Sequence, residues 1–115
     1  MVTTPYIPDK GDILWLNFNP QSGHEQKGKR PAIVLSPKEY NEKVGLALFC
    51  PITSKEKGYP FEVQIRNREI KGVALSDQIK SLDWRGRDAV FITKATAKEL
   101  DEVINKLTIL IDGIQ

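Results

Sequence analysis

The sequence predicts a mainly β chain: a small twisted, barrel-like sheet with one C-terminal amphipathic helix. Short apolar runs, some alternating and some continuous, recur from residue 12 to residue 94 with turn-rich stretches between them. Helical spacing of apolar residues is concentrated at the end of the chain. The 115 residues, 40% hydrophobic and 28% charged, have the size and mix of one globular domain with a single core. No repeat, low-complexity tract or linker divides them, so residues 1–115 read as a single domain.

The elements follow in order. "DILWLNF" (12–18) carries aromatic and branched residues in partial alternation and reads as a strand, with Gly11 before it and the turn-rich "NPQSG" opening a long loop after it. "PAIVLS" (31–36) is a continuous apolar run, a buried strand whose proline fits only at its start, which makes Arg30 extended and puts it at the strand mouth. "PKEYNEKVG" is a turn or one short helix. "LALFCPITS" (46–54) is the next strand, with Pro51 predicting an edge or a bulge. "FEVQI" alternates cleanly, "GVALSDQIKSLDW" gives a strand running into a second, bent one, and "DAVFITK" ends the β series. Thr96 and Glu99 have the spacing of a capping box. Leu100, Val103, Ile104, Leu107 and Ile111 then share one helical face, placed to cover the open end or face of the sheet. Trp15, Phe18, Phe49 and Phe61 lie inside apolar patterns and read as core, whereas Trp84, between Asp83 and Arg85, reads as the exposed aromatic.

Composition excludes several classes. A single cysteine, Cys50, permits neither an internal disulfide framework nor a multi-cysteine zinc site, and its apolar neighbours make it a core residue. No metal-ligand cluster surrounds the lone His24, so no metal or cofactor is expected. The N-terminal residues lack a basic start followed by an apolar run, and no stretch has the roughly 18 apolar residues of a membrane span, so the expectation is a cytoplasmic protein without a membrane partner. Net charge is only +2, yet cations cluster locally in residues 23–31 and 66–87, a pattern suited to a polyanion and equally to solvated loops.

Three polar clusters sit at strand ends. In "GHEQKGKRP", Gly23 and Gly28 allow close backbone approach, Arg30 offers a planar fork matched to phosphate, and Glu25 or His24 can take a proton. A surface ion pair between Glu25 and Arg30 fits the same residues. "PITSKEKGYPF" brings Thr53 and Lys57, and "LSDQIKS" brings Asp77, Gln78 and Lys80, either as turn caps or as parts of a site converging at one end of the sheet.

The stretches "GDILWLNFNPQSGHEQKGKRPAIVLSPKEYN", "PITSKEKGYPFEV" and "GVALSDQIKS", in that order, resemble the MazF/PemK family of bacterial toxin endoribonucleases, from about Pro8 to the C-terminal helix. The resemblance implies one MazF/PemK-like toxin domain with an SH3-like barrel, acting as a homodimer that cleaves single-stranded RNA, including mRNA, without a metal. It also implies a cognate MazE-like antitoxin whose acidic extended tail covers the site, and an ACA-like cleavage preference. Arg30 and Thr53 match the family's catalytic pair, and Glu25 matches an acidic loop position linked to activity. Lys57, Gln78 and Lys80 match RNA-holding positions, with Asn17 a further candidate. Some relatives carry an arginine two residues before Asp77, where this chain has Leu75. His24 matches one branch of the family only.

The chemistry expected from these residues is attack by the RNA's own 2′-hydroxyl, giving a 2′,3′-cyclic phosphate and a 5′-hydroxyl. Arg30 would stabilise the phosphorane and Thr53 would orient the phosphate; Glu25, ahead of His24, would accept the proton. Lys27 and Lys29 would draw in the RNA backbone. Two other classes fit the same size and fold: a non-catalytic, CcdB-like gyrase-binding toxin and a plain nucleic-acid-binding barrel.

Overall fold

The apolar runs become strands in a computed structural model that describes residues 5–19 and 28–113. Its described residues form β1 (Asp12–Asn17), β2 (Lys29–Val34), α1 (Lys38–Val44), β3 (Leu46–Thr53), β4 (Glu62–Arg66), β5 (Lys71–Leu75), β6 (Lys80–Asp83), β7 (Val90–Lys94) and α2 (Ala97–Asp112). The strands pair antiparallel in the order β4-β5-β3-β2-β1-β7, with β6 on β3, and curl into the half-barrel form of the expected small barrel.

Alternation along the central strands divides the core in two. One face of β1, β2 and β3 gives Ile13, Ile33, Cys50 and Ile52 to a cluster completed by β4, β5 and Val103 of α2. The opposite face gives Leu14, Leu16, Ala32, Val34, Ala47 and Phe49 to a second cluster closed by Trp84. Because both faces are covered, "PAIVLS" is continuously apolar rather than alternating. The family of short strands is thus one sheet with apolar packing on each side.

Strand β3 belongs to two ladders at once. Along one edge Phe49, Cys50 and Pro51 pair with Val34, Ile33 and Ala32 of β2. Along the other, Leu46 to Phe49 pair with β6, and then Ile52 and Thr53 pair with β5. Pro51 stands where the partner changes, a position at which its missing N–H interrupts no continuous ladder. It is therefore neither at a sheet edge nor simply a bulge, as its identity alone implied.

Helix α2 starts on the predicted capping box: Thr96 Oγ1 accepts from the Glu99 amide at 3.1 Å, and Glu99 Oε1 accepts from the Thr96 amide at 3.0 Å. Leu100, Ile104 and Leu107 pack with Val103 on the core, but Ile111, 73% exposed, has run past the end of the sheet. Two tryptophans also differ from expectation. Trp84 is only 7% exposed, because alternation turns Leu82 and Trp84 inward and Asp83 and Arg85 outward; its Nε1 donates to the Asn41 carbonyl at 3.0 Å. Trp15 is 39% exposed, since it lies beyond the part of its face that α2 covers, and its cross-strand neighbour Val90 is exposed as well.

The close approach of β5 to β3 depends on Gly72, where an added Cβ would meet the Thr53 carbonyl. Gly72→Ala is expected to destabilise the fold by about 1–3 kcal/mol, the usual range for overpacking. Urea denaturation should show an unfolding midpoint well below that of the parent; an unchanged midpoint would contradict this packing.

Candidate active site

The register that builds the second apolar cluster also builds a cleft at its end. Along β3, Phe49 is core, Pro51 is the next residue on that face, and Thr53 is the next again. Arg30 lies across from Leu16, and Lys80 lies across from Phe49, both continuing the same face. Phe18, Asn19, Arg30, Thr53, Gln78 and Lys80 therefore meet around a cleft of about 340 Å³, with Pro51 and Leu75 among its apolar walls.

Local chemistry holds each part in place. Thr53 Oγ1 accepts from the Lys55 amide at 3.2 Å, which leaves its own hydroxyl hydrogen free to donate. The Gln78 amide donates to the Leu75 carbonyl at 3.0 Å, closing the turn from β5 into β6. Tyr59 braces that turn, its hydroxyl donating to Asp77 Oδ1 at 2.8 Å. Burial, with that hydrogen bond and the negative charge of Asp77 added, pushes the Tyr59 phenol up to about 12. The Cys50 thiol is likewise pushed up to about 12 by burial first and Asp77 second, in keeping with a core residue. On the loop side, the Phe18 amide donates to the Gly28 carbonyl at 2.8 Å, and a Cβ on Gly28 would strike Asn17 Oδ1.

Of the predicted residues, the structure brings Arg30, Thr53, Gln78 and Lys80 together. Lys29 sits on the opposite face of β2 from Arg30. Asn17 is 5% exposed and its Oδ1 accepts from the Asn19 amide at 3.1 Å, so it shapes the loop entrance rather than lining the cleft. Lys57 is exposed on the β3–β4 loop and does not line the cleft; its amide and that of Gly58 both donate to the buried Glu62 carboxylate. His24, Glu25 and Lys27 lie outside the described residues. Phe18, read as core, is half-buried and lines the cleft, and its place after Leu14 and Leu16 on one alternating face was the available signal. Tyr59 had no such signal, because its partner Asp77 is distant in sequence.

Residues 9–111 match the family described as the PemK-like, MazF-like toxin of type II toxin–antitoxin systems. The chain belongs to this family. Over 106 residues it is 48% identical to the endoribonuclease toxin MazF of Escherichia coli (strain K12), covering 92% of this chain and 96% of that protein. It is 32% identical over 110 residues to the endoribonuclease toxin ChpB of the same organism, covering 90% and 94%. The crystal structure of MazF from Deinococcus radiodurans superposes with a TM-score of 0.85 at 51% identity, covering 94% of this chain and 99% of that one. A MazE–MazF complex from D. radiodurans gives 0.84 at 46% identity, covering 94% and 98%. In this MazF/PemK-family chain the cleft lies where two ladders of one sheet part.

Raising the Tyr59 pKa favours the neutral phenol in the folded state. That contribution is complete below the ordinary tyrosine value near 10 and is lost as pH rises through about 12. The difference between spectrophotometric titrations of the parent and Tyr59→Phe should show a phenol ionising near 12. A difference centred near 10 would mean that the Asp77 contact is not made in solution.

Proposed function

We propose that this MazF/PemK-family chain is a toxin endoribonuclease that cuts single-stranded RNA, mRNA included, by transferring the phosphodiester to the substrate's own 2′-hydroxyl. The convergence of Arg30, Thr53, Gln78 and Lys80 on one open cleft carries the reading. Curated relatives named endoribonucleases support the reaction class.

In the first step the 2′-oxygen forms a bond to the adjacent phosphorus and the bond from phosphorus to the 5′-oxygen breaks. The 2′-hydroxyl proton passes to a base, and the departing 5′-oxygen gains a proton, leaving a 2′,3′-cyclic phosphate and a 5′-hydroxyl. Arg30 neutralises charge growing on the phosphorane oxygens, its planar fork of donors matching the geometry of the phosphate. Thr53 donates its free hydroxyl hydrogen to a non-bridging oxygen. Lys80 adds a second cation, and the exposed Gln78 amide can hydrogen-bond the edge of an unpaired base. Glu25, ahead of His24, is the proposed proton acceptor, with Lys27 and Lys29 attracting the backbone. Exposed Lys57 remains a proposed outer RNA contact, whereas the buried Asn17 acts on RNA only through the loop entrance that it shapes.

With the nucleophile supplied by the substrate and charge balanced by side chains, the step requires no metal. The cleft favours this reading over a CcdB-like gyrase binder, for which a phosphate-matched Arg30–Thr53 pair has no use. It also differs from a stacking platform, since Phe18 is the single aromatic in the described lining of the cleft. The family and the MazE–MazF neighbours support a cognate MazE-like antitoxin, and we extend that to an acidic tail lying in the cationic cleft. Exposed Trp15 and Val90 support burial of this face in a homodimer acting in the cytoplasm. No helix among the described residues is long and apolar enough to cross a membrane.

Chelator-treated protein is expected to cut single-stranded RNA at its full rate, whereas a requirement for added magnesium would sink the mechanism. A 2′-deoxy sugar on the 5′ side of the cut should abolish cleavage at that bond while binding persists. Arg30→Ala should lower the single-turnover rate by about 10²–10³. Sedimentation at micromolar concentration should give twice the 13.0 kDa chain mass, and an active monomer would contradict the dimer.

A further inference from the structure

A second groove lies on the same strand face as the cleft, on the other side of the buried Val73, and has no part in the reaction above. Ser54, Glu56, Gln64, Arg66, Lys71 and Gly72 line about 380 Å³ of space across the end of β3 and the β4–β5 hairpin. Alternation places the two spaces on one face: Leu75, the buried Val73 and Lys71 follow one another along β5. Leu75 lines the first cleft, Val73 pairs with Thr53, and Lys71 lines the second groove. At about 3.3 Å per residue, Leu75 and Lys71 are about 13 Å apart along the strand. Gly72 places no side chain between the groove and the Thr53 backbone that it touches.

The polar groups in this groove are arranged. Arg66 and Lys71 are direct partners in the β4–β5 register. Arg66 Nε donates to Gln64 Oε1 at 3.2 Å, and Gln64 Nε2 donates to Glu56 Oε2 at 2.8 Å. That relay engages the single acid of the lining and fixes the guanidinium by its Nε, leaving both terminal nitrogens without a protein acceptor among the described residues. Lys71 forms no ion pair among them; the pairs present are Lys94–Asp12 and Lys106–Glu102. A fixed fork beside a point charge, with no apolar side chain in the lining, suits successive phosphates better than a peptide requiring an apolar anchor.

We propose that this groove extends the RNA track, Arg66 and Lys71 binding phosphates of single-stranded RNA that flank the scissile one. The inference rests on the reading of the neighbouring cleft as the RNA-cleaving site. Such contacts fix position and add affinity without reading bases, so they favour longer substrates over short ones.

The test uses the full-length protein and RNAs carrying a 2′-deoxy sugar at the scissile position, either short or lengthened at one end or the other. The parent should bind one lengthened RNA more tightly than the short one. Replacing both residues, Arg66→Gln with Lys71→Gln, should remove on the order of tenfold of that gain near 0.1 M salt. It should also make the plot of log affinity against log salt shallower by about 1.4, the value for two single-strand phosphate contacts. The charge-keeping pair Arg66→Lys with Lys71→Arg should retain the gain, which a merely structural role for these exposed residues would not predict. An equal gain on lengthening in the parent and the glutamine pair would overturn the proposal. So would a loss confined to binding of a polyglutamate peptide, which would assign the groove to an acidic protein tail. Cleavage of the unmodified short RNA by the parent reports separately on the cleft itself, so its failure is distinguishable from failure of the groove.

Discussion

The arrangement depends on one strand serving two ladders. β3 is held to β2 along one edge, and along the other it leaves β6 for β5 within a few residues of Pro51. Where neighbouring strands diverge, backbone that would have been covered becomes the wall of a cleft. Proline suits this place for a definite reason: a residue with an N–H would require an acceptor in the gap, and an unpaired buried donor costs about 1–3 kcal/mol. The opening is consequently part of the sheet's own geometry, rather than a depression formed by loops above it.

That geometry also sets the electrostatics. Arg30, Thr53 and Lys80 stand on the same sheet face as Leu16, Phe49 and Ala47, at the point where apolar packing ends. A low-dielectric floor beneath the cations strengthens their attraction for a phosphate relative to open water. Rigid strands, not flexible side chains alone, fix how far apart the charges stand, so little reorganisation accompanies charge development in the transition state. The brace of Tyr59 on Asp77 extends this rigidity to the turn that carries Gln78.

Much of this was legible in the sequence, and what was not follows from identifiable physics. Period-two runs located the strands, and the spacing of Thr96 and Glu99 located the start of α2. Pro31 does not begin its strand, although its missing N–H implied that: β2 starts at Lys29, so Pro31 is its third residue, paired with Trp15, and Arg30 lies inside the β1–β2 ladder opposite Leu16. Trp84 is buried although charges flank it, because in a strand neighbouring residues point to opposite faces. Trp15 and Ile111 are exposed for a different reason: apolar spacing marks a face, but the length of the element packed against it decides where burial stops. The Tyr59–Asp77 and Trp84–Asn41 bonds join residues 18 and 43 positions apart, contacts that arise only once the sheet has closed.

Helix α2 connects the stability of the sheet to the position of the site. β4 is an edge strand, and exposed edges offer unpaired backbone groups to other chains. Here α2 supplies partners from its side chains: Glu99 Oε2 accepts from the Arg66 amide at 3.2 Å, and Lys106 Nζ donates to the Pro60 and Glu62 carbonyls at 2.6 and 2.9 Å. The other oxygen of Glu99 closes the capping box, so a single carboxylate fixes both the start of the helix and the end of β4. β4 holds β5 through five cross-strand pairs, and β5 holds Thr53 through its pairing with Val73. A contact on the far side of the sheet from the cleft thereby helps set the position of the hydroxyl that meets the phosphate.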